Sequence, residues 1–108
     1  MKAIKAYVHR SRVSDVIEAL KASASWTCGQ HNLTLYLVKG SLRPLDDAER
    51  QYSVDLGEEV VNEYKLELHC DEPHVAELIA IIRKAAATGQ PNAGWIYVSD
   101  VLQAIPIV

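Results

Sequence analysis

The chain predicts an α+β fold in which two helices lie on one face of an antiparallel sheet, in the order βαββαβ. Three observations in its 108 residues predict this. Hydrophobicity alternates with period two in four separate short runs. Two other stretches carry apolar residues at helical spacing, and turn residues mark most changes of period. The architecture is that of the ferredoxin-like sandwich.

Each element has its own signal. Residues 2–8 alternate, with Ile4, Ala6 and Val8 on one side and Lys5 and Tyr7 on the other, as a half-buried strand does. Ser14 or Asp15 is placed to cap a helix, with Glu18 answering in capping-box fashion, and Val13, Val16, Ile17 and Leu20 form its apolar stripe. Residues 23–32 are small and polar and read as a loop. Leu33 to Val38 alternates again and stops at Gly40.

From Ser41 to Val61 the period is lost. Pro44, Asp46-Asp47, Glu49-Arg50 and Gly57-Glu58-Glu59 fill a long loop between the second and third strands, and such a segment inside a compact domain is usually functional. Within it, Tyr52-Ser53-Val54-Asp55 could extend the flanking strands as a hairpin. Tyr64 to Cys70 is the third strand, with Tyr64, Leu66 and Leu68 opposite Lys65, Glu67 and His69. Asp71-Glu72-Pro73 starts a helix, because acids suit the first turn and proline the first position. Val75, Leu78, Ile79 and Ile82 give its buried stripe, Arg83 and Lys84 suit its end, and Gly89 stops it. Trp95 to Val98 is the fourth strand, and Ile105 and Ile107 suggest a short final one.

The bulk numbers bound the function. A chain of this length is one domain, residues 1–108. No apolar run approaches the ~20 residues that span a bilayer, and the N-terminus alternates like a strand instead of carrying a signal peptide's apolar core. The expected compartment is the cytoplasm, with no insertion into membrane. A net charge of −3 argues against nucleic acid as a partner. Cys28 and Cys70 lack a CxxC partner and read as free thiols. The helix-free face of the sheet carries Tyr7 and Tyr36 with apolar company, a surface expected to be covered by oligomerisation.

Read end to end, the chain resembles the P-II-type signalling proteins, trimeric regulators related to nitrogen regulation. The resemblance runs through Met1-Lys2-Ala3-Ile4, Val13-Ser14-Asp15-Val16-Ile17-Glu18-Ala19-Leu20 and Val38-Lys39-Gly40. It continues through Lys65-Leu66-Glu67, Ala86-Ala87-Thr88-Gly89 and Gly94-Trp95-Ile96-Tyr97-Val98. The spacings match after one insertion before Leu33; their shared register is specific, no single motif is. In that family the long loop contacts a partner protein, often a membrane transporter, and the glycine-rich turn wraps a nucleotide's phosphates between subunits. Backbone amides in such a turn form an anion nest that a neighbour's basic side chains complete.

Carried over by position, the resemblance implies ligand contacts at Thr34, Gly40, Arg43, Thr88, Gly89 and Gly94. The departures are as informative. Trp95 stands where the family has a lysine, Pro106 and Val108 where it has arginines, and Pro44 where it has a glutamine; Leu42 replaces a glycine and Leu56 the tyrosine that some members modify. Each cation on a triphosphate contributes roughly 1.5–3 kcal/mol through charge-assisted bonds, so losing three weakens a conventional ATP site by orders of magnitude. A less charged ligand fits better: ADP, AMP, a small anion such as bicarbonate, or an adenine ring stacked on Trp95. Lys65, Arg43 and Arg10 are the available cations.

Other signals stay two-sided. The turn Thr88–Gly94 is equally a plain helix-to-strand connection, and Trp95 either a stacking platform or a core or interface residue. Cys28-x-x-His31, with His69 or Cys70, invites a metal reading, although His69 and Cys70 point to opposite faces of their strand. Asp46-Asp47 and Glu58-Glu59 read as a solvated, partner-facing surface, since no Ser-His-Asp or Cys-His arrangement accompanies them. The expected protein is therefore a non-enzymatic regulator, a homotrimer that senses a small ligand in inter-subunit clefts and controls a partner through its long loop. The alternative is a metal-responsive binding protein of the same fold.

Overall fold

The computed structural model describes residues 1–27, 32–42, 50–53 and 58–108. Its elements are β1 (Lys2–His9), α1 (Val13–Lys21), α2 (Ala24–Thr27), β2 (Thr34–Gly40), β3 (Arg50–Ser53), β4 (Glu58–Cys70), α3 (Glu72–Ala86) and β5 (Trp95–Asp100). The main sheet has the order β2-β4-β1-β5, every neighbour antiparallel. This is the ferredoxin-like α+β sandwich that the hydrophobic periods predict, with α1 and α3 packed together on one face.

The core follows from the alternation. Ile4, Ala6 and Val8 of β1 and Leu66, Leu68 and Cys70 of β4 meet Val16, Leu20, Leu78, Ile82 and Ala86 of the helices. Cross-strand partners Ile4–Leu68 and Ala6–Leu66 share this face, as antiparallel pairs must. Asp71 is the N-cap of α3 and Pro73 lies in its first turn, where its missing N–H costs nothing.

Several expectations are corrected. Helix α1 begins at Val13 with Arg12 at its N-cap and no side-chain cap, so Ser14 and Asp15 are helical residues. The Arg12 side chain instead donates from Nε to the Ala87 carbonyl at 3.0 Å, joining the start of α1 to the end of α3. The stretch expected as loop after Lys21 contains the short helix α2, held by Ser25, whose Oγ donates to the Glu77 carboxylate and lies 3.2 Å from His74 Nδ1. The chain forms no strand through Ile105 and Ile107, which are exposed beyond the end of β5. That strand would have Pro106 in its middle, which lacks the ladder N–H.

The long segment is shorter than its loss of period suggests. β4 begins at Glu58, and β3 pairs with it from Arg50–Val61 to Ser53–Glu58, so the hairpin expected around Tyr52 forms with β4. Val61 pairs with both Gly40 and Arg50. A strand residue has one neighbour on each edge, so β3 lies on the β1 side of β4, beyond the last β1 pair His9–Glu63. Arg43, Pro44, Asp46, Asp47, Leu56, Cys28 and His31 lie outside the described residues.

Candidate ligand-binding site

The helix-free face of the sheet is organised in cross-strand rows. One row runs Tyr36, Lys65, Tyr7, Trp95; the next runs Thr34, Glu67, Lys5, Tyr97. Aromatic residues occupy the outer strands, with Tyr36, Trp95 and Tyr97 all about half exposed. The expectation of an aromatic face with apolar company holds for these outer strands and fails in the middle. There Lys65 Nζ lies 3.6 Å from a Glu67 carboxylate oxygen and His69 Nε2 lies 4.0 Å from the other. Lys65 also sits 5.1 Å from the centre of the Tyr36 ring, close enough for a cation–π contact. Tyr7 and Tyr97 pack edge to face, ring centres 5.9 Å apart. The charges are placed by β-strand period: every odd position of β4 from Glu63 to His69 falls on this face.

Two clefts meet at Trp95, one on this face and one at the sheet edge on the helix side. The larger, of about 900 Å³, is lined by Lys5, Tyr7, Gly40, Glu63, Trp95 and Tyr97 among others. The smaller, of about 500 Å³, lies between the end of α3 and the start of β5, where Arg83, Gln90, Asn92 and Gly94 meet an apolar floor that includes Ile82. Trp95 lines both. At half exposure it is no core residue, which leaves its stacking and interface readings.

The predicted site residues divide between these surroundings. Gly40 and Trp95 share the larger cleft, and Gly94 and Trp95 the smaller. Thr34 and Lys65 occupy adjacent rows of the open face, outside both linings; Thr34 Oγ1 donates to the Glu67 carbonyl at 3.4 Å. Thr88 and Gly89 belong to the turn before the clefts, where the Gln90 amide donates to Thr88 Oγ1 at 3.4 Å.

The glycines have structural reasons of their own. Gly89 has φ +85° with open space around its Cα, so it serves backbone conformation. A Cβ on Gly94 would strike the Tyr7 carbonyl oxygen, and one on Gly40 would strike the Glu63 carboxylate. Both mark close approaches. Asn92 takes φ +55°, a conformation asparagine tolerates, and completes the turn that carries Gly94 and Trp95.

Sequence reading missed Glu63. It is 4% exposed although it lies on the helix-free face. Its Oε2 accepts the Leu42 N–H at 3.2 Å, and its cross-strand partner is His9, itself buried. Burial pushes its carboxyl above the usual range, while the Leu42 amide and the His9 charge oppose that shift. Alternation would have placed Glu63 on this face, but only the structure brings the chain after Gly40 across it.

The metal reading gains no cluster among the described residues. Cys70 is buried among the helices, its thiol pushed up chiefly by that burial, whereas His69 faces the other way toward Glu67.

The family model described as nitrogen regulatory protein P-II matches residues 1–107. Nitrogen regulatory protein P-II 1 of Methanothermobacter thermautotrophicus is 27% identical over 107 residues, covering 99% of this chain and 89% of that protein. Nitrogen regulatory protein P-II of Porphyra purpurea is 29% identical over 107 residues, covering 99% and 91%. The protein of that name from Bradyrhizobium diazoefficiens is 30% identical over 107 residues, again covering 99% and 91%.

Proposed function

Because the chain belongs to the nitrogen regulatory protein P-II family, whose members are non-enzymatic proteins that regulate partner proteins, we propose that it is a cytoplasmic regulator acting as a homotrimer of single-domain subunits. A small ligand occupies the cleft that runs from Gly40 to Trp95 and is closed by a neighbouring subunit. Occupation biases the segment after Gly40, which blocks or releases a partner, a membrane transporter being the leading class. A ligand can shift such a segment only by its difference in affinity for the two arrangements.

The observation that carries this reading is the larger cleft itself. It joins the base of the long segment (Gly40) to the turn before β5 through Trp95, and its aromatic wall is left open on one side in a single copy. Trp95 and Tyr97 offer faces for a base to stack on, and Lys5 is a cation in the lining. This favours a ligand with one aromatic ring and little charge, AMP or ADP before ATP, or a small anion such as bicarbonate. Thr34, Thr88, Gly89, Gly94 and Arg43 are the further contacts proposed from the family register, and Lys65 is a further contact proposed as an available cation. No helix among the described residues is long and apolar enough to cross a membrane, which accords with a regulator that meets a transporter from outside the bilayer.

Titration calorimetry with ATP, ADP, AMP, cyclic AMP and bicarbonate tests the reading. A saturable heat is expected for at least one, weaker in a Trp95→Ala variant. Flat traces for all five would overturn the ligand assignment, and a monomer mass from light scattering at micromolar concentration would overturn the shared cleft.

A further inference from the structure

We infer that Glu63 is the positioning residue that couples the cleft to the long segment. Its carboxylate fastens the first residues after β2 and at the same time forms part of the cleft lining. This inference rests on the proposed ligand site for its second half and on geometry alone for its first.

The fastening rests on two contacts of the carboxylate and on the burial of Leu42. Glu63 Oε2 accepts the Leu42 backbone N–H at 3.2 Å. The carboxylate lies flat against the Cα of residue 40, a space that exists only because residue 40 is glycine. Leu42 is itself buried, 7% exposed, although it stands two residues beyond the end of an edge strand. An edge strand normally releases its chain to solvent at this point. Here the chain is drawn across the helix-free face, and the acceptor that draws it is Glu63.

The acceptor must be an oxygen held in place, and the fold supplies that. Glu63 lies on β4 between Val38 of β2 and His9 of β1, so its backbone is fixed by ladders on both sides. A buried carboxylate that accepts a backbone N–H makes a charge-assisted bond, stronger than a neutral one. Losing the acceptor would leave the Leu42 amide buried without its partner.

The coupling follows from position. Glu63, Gly40 and Leu42 line the same cleft as Trp95. A ligand that presses on or bonds the carboxylate therefore competes with the Leu42 amide for it. One side chain is shared between the ligand's space and the exit of the segment, so the two are linked without a longer chain of contacts.

Amide hydrogen exchange resolved by residue reads the fastening directly. In ligand-free protein, Glu63→Ala is expected to speed exchange of the Leu42 amide at least tenfold while the amides of Leu66 and Ile4 keep their protection, which also establishes that the variant is folded. Glu63→Gln, which keeps an oxygen acceptor, should restore most of the protection. Gly40→Ala, which displaces an intact carboxylate, should speed exchange like Glu63→Ala and stands in for it should that variant fail to fold. Unchanged Leu42 exchange in whichever of Glu63→Ala and Gly40→Ala folds would overturn the fastening.

For the coupling, ADP is added to wild-type protein and to Glu63→Ala. With ADP at a saturating concentration for each protein, the expected result is a several-fold change in Leu42 exchange in wild type and none in the variant. An ADP heat with no change at Leu42 in wild type overturns the coupling. No heat with any of the five probes overturns the ligand reading and the coupling with it, while ligand-free exchange still decides the fastening.

Discussion

The two faces of the sheet are made by the same strands, one residue apart, and obey different rules. On the helix side, Ile4, Leu66, Leu68, Leu78 and Ile82 are all but inaccessible to solvent and apolar without exception. On the other side, the row Tyr36, Lys65, Tyr7, Trp95 mixes aromatic rings with a charge, and Glu63 is buried by its own chain while Trp95 is half exposed. The first face is closed within one copy. The second carries both clefts' shared residue, Trp95, and the base of the long segment. Stability is concentrated on the first and, on the function proposed above, specificity on the second, because close packing fixes side chains by volume whereas a half-open face can spend its positions on charge and stacking.

This contrast breaks most clearly under truncation. Leu66→Ala removes a side chain enclosed by β1 and the helices, and should cost about 2–5 kcal/mol. Its strand neighbour Lys65→Ala removes a partly exposed pair with Glu67 and a contact with Tyr36, and should change stability by less than about 1 kcal/mol. Urea unfolding at one fixed protein concentration checks both, since self-association would add a mass-action contribution. Comparable losses at the two positions would mean that the open face is as tightly enclosed as the core. Repeating the Lys65→Ala measurement at several concentrations then reads how much of that enclosure a second copy supplies.

The glycines sharpen the same division at the turn before β5. Gly94→Ala drives a methyl into the Tyr7 carbonyl oxygen, backbone against backbone, and should cost about 1–3 kcal/mol as an overpacked site does. Gly89→Ala meets no atom but keeps φ at +85°, so it should cost about 1–2 kcal/mol, the penalty for an L-residue in the left-handed region. Thermal unfolding of the two variants should rank them in that order. The ligand heat is a second readout: both glycines are proposed contacts, and Gly94 also adjoins Trp95 in the smaller cleft, so its variant should lose more affinity than the Gly89 variant.

What the amino-acid order made legible follows the same line. Period two placed Ile4, Ala6 and Val8 against Leu66 and Leu68, and Asp71-Glu72-Pro73 located the start of α3 to the residue. These depend on local chemistry. The start of α1 was less legible, since Arg12 is committed to the Ala87 carbonyl on another helix and no local pattern announces that. Helix α2 escaped for a similar reason: Ser25 looks like a loop residue until Glu77 and His74 meet it from α3. At the site, the family register pointed to Gly40 and Gly94, with Trp95 a departure from it, but the reason Gly40 is glycine lies twenty-odd positions away in Glu63, a long-range contact that no window along the chain contains. Local signals specified elements, and tertiary contacts specified how the site is assembled.

Glu63 provides the finest break in the comparison, because it is an enclosed residue on the open face. Burial raises its carboxyl above the ordinary range, against the pull of the Leu42 amide and of His9 opposite it. A carboxyl raised on folding holds its proton more tightly in the folded state than in the unfolded one. Its contribution to stability is therefore complete below the ordinary carboxylate pKa of about 4 and is lost as the pH rises through the higher folded value. Glu63→Gln has no proton to lose at this position and keeps an acceptor for the Leu42 amide. The stability of the variant relative to wild type should therefore climb from acid toward neutral pH and then level off, as urea unfolding across that range would record. A flat difference would mean that the carboxylate finds as much stabilisation under Gly40 and Leu42 as in water, placing Glu63 with the solvated charges of its face instead of with the core.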